Sequence, residues 1–342
     1  MTTGMERLQA ALNGEKADRI PVFCNIFDQG ASELGISKEE YFGNGELVAQ
    51  AQLKMREKFG YDNVWSMFYV AREAELLGCK KIRFFESGPP NVKHFVIKDY
   101  ADIEKLEIPS DLESHPGFIE PLKCLRILNR EVGGKYPICA YITATMCLPS
   151  LLMGMEQWFD LLFTGPEEVK NLLLQKCHEF FVKELNAYRN NGANVIVYSN
   201  PFASTDFVPM NFFLKSSLPW VKKDIEAVGL DGLVFYCGMS RMNPVIDTLI
   251  DQVGFQVFYP SPNDNLKESC KIIKNRALTC GVIDDLAMAA WNCDLIKMKV
   301  KQIIETGKNA GRFLFGTGVM PAPLPDEKLK AMLDAAYEFG QW

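Results

Sequence analysis

Residues 234–240 read VFYCGMS, an apolar run that ends in Cys237 and turns at once on Gly238. A sulfur leaving a strand at such a turn has two uses. As a thiolate it binds zinc or attacks an electrophile; as a thiol it is a small apolar plug. The local sequence leaves both open. Cys280 ends a second apolar run, RALTC (276–280), and is placed to face the same cavity. Two cysteines still need one or two further ligands, which nearby carboxylates would supply. The carboxylates in reach of strand ends include Glu75, in AREAELLG, together with Asp28 and Asp206. A carboxylic acid whose pKa is raised by burial can also donate a proton to a leaving group. Each acid has a plainer reading as well. Asp28, Asp206, Asp284 and Asp285 suit helix caps, and Glu75 suits a solvated helix face.

The elements that must position these groups follow a regular pattern. Short runs rich in Val, Ile, Leu, Phe and Tyr appear at 21–25, 61–67, 137–142, 194–199, 232–236, 255–259, 276–280 and 311–315. Helical segments separate them, after an opening amphipathic helix over 5–13 that carries Leu8, Ala11 and Leu12 on one side. Near-continuous apolar strands alternating with helices predict a parallel sheet covered on both faces. Eight of them favour a closed (β/α)8 TIM barrel, an α/β fold, over an open doubly wound sheet. The stretch between the second and third strands, with GPPNVKHF and DYADIEKLEIPSDLE, reads as an insertion rather than a second domain. The expected organisation is one barrel domain over residues 1–342, with an N-terminal helical extension.

In such a barrel the chemistry sits at the C-terminal ends of the strands. That rule selects Asn25, Asp28, Tyr69, Asn200, Tyr236 and Tyr259 as substrate-binding candidates. It selects Glu75, Asp206 and Cys237 as catalytic candidates, and Cys237 with Cys280 as metal ligands. The predicted ring of strand ends is polar and acidic, with no lysine or histidine on it.

Composition narrows the function. The chain has 342 residues, 48% hydrophobic, and a formal net charge of -6. An acidic balance argues against nucleic acid as the main partner. No apolar run approaches the roughly 18 residues of a membrane span, and the acidic N-terminus does not read as a signal peptide. A soluble cytoplasmic protein is expected. The ten cysteines form no CxxC pair, which suits reduced, buried thiols. Only three histidines are present, so histidine-based metal chemistry is limited. Neither GxGxxG after the first strand nor GxxxxGK[ST] occurs, which removes the best support for two nucleotide folds.

The segments MERLQAALNGEKADRIPVF, YDNVW with AREAELLGCK, LLMGMEQWFDLLFTGPEEVKNLL, GANVIVYSNPFAS and LPDEKLKAMLDAA together resemble the uroporphyrinogen decarboxylase superfamily over nearly the whole chain. The likeness is nearest to its corrinoid-linked methyltransferase branch, that of methylcobamide:coenzyme M methyltransferase. The resemblance implies a (β/α)8 barrel with a pocket at the strand C-termini. It also implies methyl transfer between a small substrate and a cobalamin (a corrinoid) carried by a corrinoid-binding partner protein. True decarboxylases of the family carry an arginine-containing QAGR segment after the first strand. Here CNIFDQGAS stands in that place, so an acid, Asp28, meets a polyanionic porphyrinogen. The branch binds zinc through a His-x-Cys after strand five and a later Cys. Cys237 matches the first cysteine, but the histidine position is Phe235 and the later cysteine falls near Val319 in GTGVMP. The resemblance therefore leaves three outcomes open: a zinc site rebuilt from Cys237, Cys280, Glu75 or Asp206; metal-free transfer with acid activation by Glu75 or Asp206; or binding without catalysis. A decarboxylase-like lyase on a non-porphyrin substrate is the second enzyme reading, with Arg72 as the nearest candidate for the cation it needs.

Overall fold

The computed structural model describes residues 2–85, 90–320 and 324–342. Gly88 and Pro89 of GPPNVKHF and Pro321 of GTGVMP lie outside them. Eight parallel strands form one sheet: β1 (Val22–Asn25), β2 (Val64–Trp65), β3 (Ile138–Thr143), β4 (Val195–Ser199), β5 (Leu233–Tyr236), β6 (Val257–Tyr259), β7 (Leu278–Ile283) and β8 (Phe313–Val319). Their order, β1-β8-β7-β6-β5-β4-β3-β2, follows the chain around a ring. This is the expected TIM-barrel architecture.

The ring closes between β1 and β2 through side chains. Val22 N–H donates to Asp62 Oδ2 at 2.8 Å, and Asp62 N–H donates to the Val22 carbonyl at 2.9 Å. Asn63 accepts from Cys24 N–H at 2.8 Å and donates back to its carbonyl at 3.2 Å, so one amide side chain imitates a ladder rung. Asp62 is fully buried and held by Arg7 and Arg19. Backbone groups that a short strand leaves unpaired inside a protein must find such substitutes.

Alternation along the strands sorts the apolar residues into two cores. One lies between strands and helices and includes Phe235, Phe258 and Cys237. The other lies in the barrel interior and includes Phe23, Trp65, Cys139, Val195, Val197, Val234, Tyr236, Tyr259, Cys280 and Leu314. Helix α1 (Gly4–Asn13) begins with a Thr3–Glu6 capping box and buries Leu8 and Ala11 against the interior set.

Two strands run past their expected ends. β7 continues through Gly281 to Ile283, and β8 continues through Gly316 to Val319. Cys280 is therefore mid-strand. These glycines mark close packing rather than strand ends. A Cβ at Gly281 would collide with Phe313 and Ile303, and one at Gly316 with the Tyr259 hydroxyl and Cys280 Sγ. The insertion between β2 and β3 contains a short helix (Arg72–Leu76), a two-stranded hairpin pairing Ile82–Arg83 with Asn91–Val92, and a longer helix (Ile119–Val132). Among the described residues, no helix is long and apolar enough to cross a membrane.

Candidate functional site

The barrel interior is not fully packed. A cavity of about 250 Å³ runs along it, lined by Leu8 and Leu12 of α1 and walled by Val195, Val197, Val234 and Leu314. Small side chains in the middle layers leave this space. Asn25, Phe27, Trp65, Tyr141, Tyr236, Tyr259 and Val319 line its upper part. The Tyr236 and Tyr259 rings meet edge to face, 5.9 Å apart at 86°. Tyr259 donates to the Thr317 carbonyl at 2.7 Å, and Asn25 donates to the same carbonyl at 2.7 Å, so both are anchored to β8. Among the described residues, Asp231 is the only charged residue lining the cavity, and it belongs to the N-terminal end of β5. Such a space suits a neutral, largely apolar molecule; an anionic one would find no counter-charge there.

Three of the six expected substrate-binding residues, Asn25, Tyr236 and Tyr259, line this cavity together. The other three have different neighbours. Asp28 is buried and paired with Lys38 at 2.9 Å. Tyr69 donates to Glu75 and stacks under the Arg72 guanidinium. Asn200 is buried and accepts from the Cys147 thiol at 3.2 Å. The strand-end ring thus does carry a lysine, contrary to the sequence expectation, and an arginine besides Arg72. Lys38 and Arg241 reach it from segments distant from their partners, Asp28 and Asp206. Lys38 also offsets the negative charge that was expected to repel a porphyrinogen.

The two acids expected to donate protons are poorly placed for it. Asp206 is held below the usual carboxylate range by hydrogen bonds from the Arg241 side chain and N–H, so it lacks the burial that would keep its proton. Glu75 is partly exposed and bound by Tyr69. Arg72, the cation of the lyase reading, instead ties the insertion to the helix over 38–42, donating to the Gly117 and Phe42 carbonyls.

The cysteines part company. Cys237 does precede a left-handed Gly238, with φ of 63°, but its side chain is fully buried in the outer core. Burial pushes its thiol well above the ordinary range, with the nearby Cys147, Asp264 and Asp206 adding to the shift. Cys280 lies in the inner core, and burial raises its thiol too. The two sulfurs sit on opposite faces of the sheet and share no cavity. Phe235 packs outward against Phe255, 4.9 Å between centroids, beside Tyr198 and Phe258. Among the described residues, no group of three His, Cys, Asp or Glu side chains could hold a metal. The residues present do not fit the zinc site that the resemblance implies.

Two sets of buried acids lie outside the expected site residues. Glu73 accepts from Thr143 N–H at 2.6 Å and shares a hydrogen bond with Glu184; burial pushes Glu73 up to about 7. The second is Asp285. Asp284 caps the following turn, accepting from Ala287 N–H at 2.9 Å, as expected. Asp285 does not cap. It is 1% exposed, and among the described residues its Oδ1 has no hydrogen-bond partner. Burial, reinforced by Asp284, pushes its carboxyl up to about 7, against the opposing N–H groups of its own residue and Gly318. One sequence signal for it existed: of two consecutive acids before a helix, only one can fill the cap position.

The uroporphyrinogen decarboxylase (URO-D) family model matches residues 3–339. The chain is 29% identical to methylcobamide:CoM methyltransferase MtbA of Methanosarcina acetivorans and 27% identical to that of Methanosarcina mazei, in each case over 98% of both chains. A solved methyltransferase from Methanosarcina mazei superposes with a TM-score of 0.84, covering 99% of each chain at 24% identity.

Proposed function

Because the chain belongs to the uroporphyrinogen decarboxylase family, we propose that it is the barrel component of a corrinoid-dependent methyltransferase or demethylase. It moves a methyl group between a small substrate in the barrel and a corrinoid presented by a partner protein. Residues 1–342 act as one barrel domain. The observation that carries this reading is the end-to-end likeness to methylcobamide:CoM methyltransferases. The cavity supports it over decarboxylation, since a polycarboxylate would meet no cation there.

The cavity also sets the part of the chain's own residues. Tyr236, Tyr259, Phe27 and Trp65 present flat apolar walls that orient the substrate and exclude water. Asn25 and Tyr259, fixed to the Thr317 carbonyl, keep the mouth from collapsing. With no set of zinc ligands assembled among the described residues, activation of a thiol by metal is not part of this proposal. The leaving atom must instead be helped by the protein's own donors.

The test is methyl transfer to cob(I)alamin, followed by the absorbance change on methylation. The expected result is turnover with an uncharged methyl donor and weak binding of a sulfonate-bearing thiol. Absence of transfer from every donor tried, with intact folding by circular dichroism, would leave a binding barrel without catalysis.

A further inference from the structure

We infer that the Tyr236 hydroxyl is the hydrogen-bond donor to the substrate atom that carries the methyl group, so that the barrel takes a small, uncharged, ring-sized molecule with an ether-type oxygen there. This deepens the methyl-transfer reading above and rests on it.

Most side-chain donors in the upper part of the cavity are spent on the protein itself. Trp65 Nε1–H donates to the Cys24 carbonyl at 3.0 Å. Asn25 and Tyr259 donate to the Thr317 carbonyl, each at 2.7 Å, and the Tyr141 hydroxyl donates to Ser199 Oγ. Tyr236 lines the same cavity, yet among the described residues its hydroxyl has no hydrogen-bond partner. The residue is 6% exposed. Its oxygen is not among the unpaired polar atoms that packing seals off, as the Tyr41 and Tyr61 hydroxyls are. The little open surface that Tyr236 keeps therefore includes that oxygen, and the open space it lines is the cavity. Tyr259, itself anchored to β8, packs edge to face against the ring and holds the hydroxyl in place. A donor so nearly buried is costly to leave unused, and a ligand acceptor in the cavity would use it.

The surroundings limit what that acceptor can belong to. Apolar cavities of about 150 Å³ hold benzene, so about 250 Å³ leaves room for a ring with a substituent. Among the described residues the one charged lining residue, Asp231, lies at the opposite end, so an ionic substrate would find no counter-charge beside Tyr236. Burial pushes the Tyr236 phenol well above its ordinary range, with Tyr141, Asp285 and Cys237 adding to the shift, so it stays a neutral donor. The chemistry balances for a methyl ether. The bond between oxygen and methyl breaks, and its electron pair stays on oxygen. The new bond to carbon takes its pair from the reduced, Co(I) corrinoid of the partner. Negative charge grows on the oxygen that receives the Tyr236 hydrogen bond, which strengthens as methyl leaves. The departing oxyanion takes its proton from solvent.

The probes are methyl phenyl ether and ethylbenzene, which has the same shape without the oxygen. Calorimetry gives their dissociation constants with wild type and with Tyr236→Phe, in the absence of corrinoid, each set against the probe's partition from water into cyclohexane. Expected is a wild-type preference for the ether of roughly 3–10-fold beyond its partition, lost in the variant. Tyr236→Phe removes a hydroxyl that pairs with no protein group, so the fold should be kept. The same preference in both proteins would overturn the donor role. A wild type with no preference would overturn it even if the variant did not fold. Methyl transfer to free cob(I)alamin then adds the kinetic arm. Expected in Tyr236→Phe is a loss of roughly 10²-fold in kcat with methyl phenyl ether, and a much smaller loss with methyl 4-nitrophenyl ether, whose oxygen leaves readily. A structural defect would slow both ethers alike, and equal losses would overturn the donor role while leaving methyl transfer standing. A wild type that binds the ether with the expected preference and methylates the corrinoid from no donor would overturn the methyl-transfer reading, and with it the place of the hydroxyl at the methyl-bearing atom.

Discussion

Asp224 and Asp285 are both buried acids near the barrel, at 0% and 1% exposure, and they are opposites in what surrounds them. Asp224 receives the Thr145 hydroxyl at 2.6 Å, the Tyr198 hydroxyl at 2.8 Å, the Thr145 N–H at 3.3 Å and His178 Nδ1 at 2.8 Å. It ties the long helix over 167–190 and the loop after β3 to the sheet. Among the described residues, Asp285 Oδ1 receives no hydrogen bond. Burial alone therefore does not mark chemistry. A buried carboxylate with all its acceptor sites used is a brace, and one with an unused oxygen is held less tightly by the fold.

The comparison breaks first at Asp224. Asp224→Ala should cost about 3–5 kcal/mol, because it strands the Tyr198 and Thr145 hydroxyls in the core. Urea unfolding measures it. Asp285→Asn should cost far less at pH 7; an equal cost would make Asp285 a brace as well. Next in size is the seam. Asn63→Ala should cost about 1–3 kcal/mol by leaving the Cys24 N–H unpaired between β1 and β2, and protection of the Cys24 amide against hydrogen exchange should fall with it.

The pH dependence of stability sharpens the contrast further. The Asp285 carboxyl titrates near 7 in the folded chain against an ordinary 3.8. Between those values the folded state binds more protons than the unfolded one, so this group makes stability fall as pH rises from about 4 to 7. Asp285→Asn should flatten that slope, and chemical denaturation across the window would show it. Glu73, also near 7, contributes the same sign, so the slope should diminish without vanishing. The smallest effect is expected at Cys237. Cys237→Ala should cost only about 1 kcal/mol and leave the zinc content of the purified protein unchanged. Loss of bound zinc in that variant would show that ligands assemble around Cys237 after all.

Period and spacing were enough to reveal much of this molecule. Apolar runs of strand length, separated by helical segments, dictate a covered parallel sheet, and eight of them dictate a ring. The strand-end rule also named Asn25, Tyr236 and Tyr259, which the barrel brings to one cavity. Where strands end was harder to read. Gly281 and Gly316 look like stops in one dimension and are close contacts in three, which moved Cys280 from the mouth to the interior.

Which acid escapes pairing was legible only at Asp284 and Asp285, where one cap position cannot take both. Asp28 and Asp206 look as available as Asp285 in the sequence, yet Lys38 and Arg241 claim them across 10 and 35 residues. Side-chain parity decided the fate of Cys237 in the same way: with Phe235 packed outward, the sulfur two residues on lies in the outer core rather than the cavity. The linear chain determines which residues can form strands, caps and charges. Only the packed barrel determines which charges meet, because pairing and desolvation depend on distances that sequence separation does not encode.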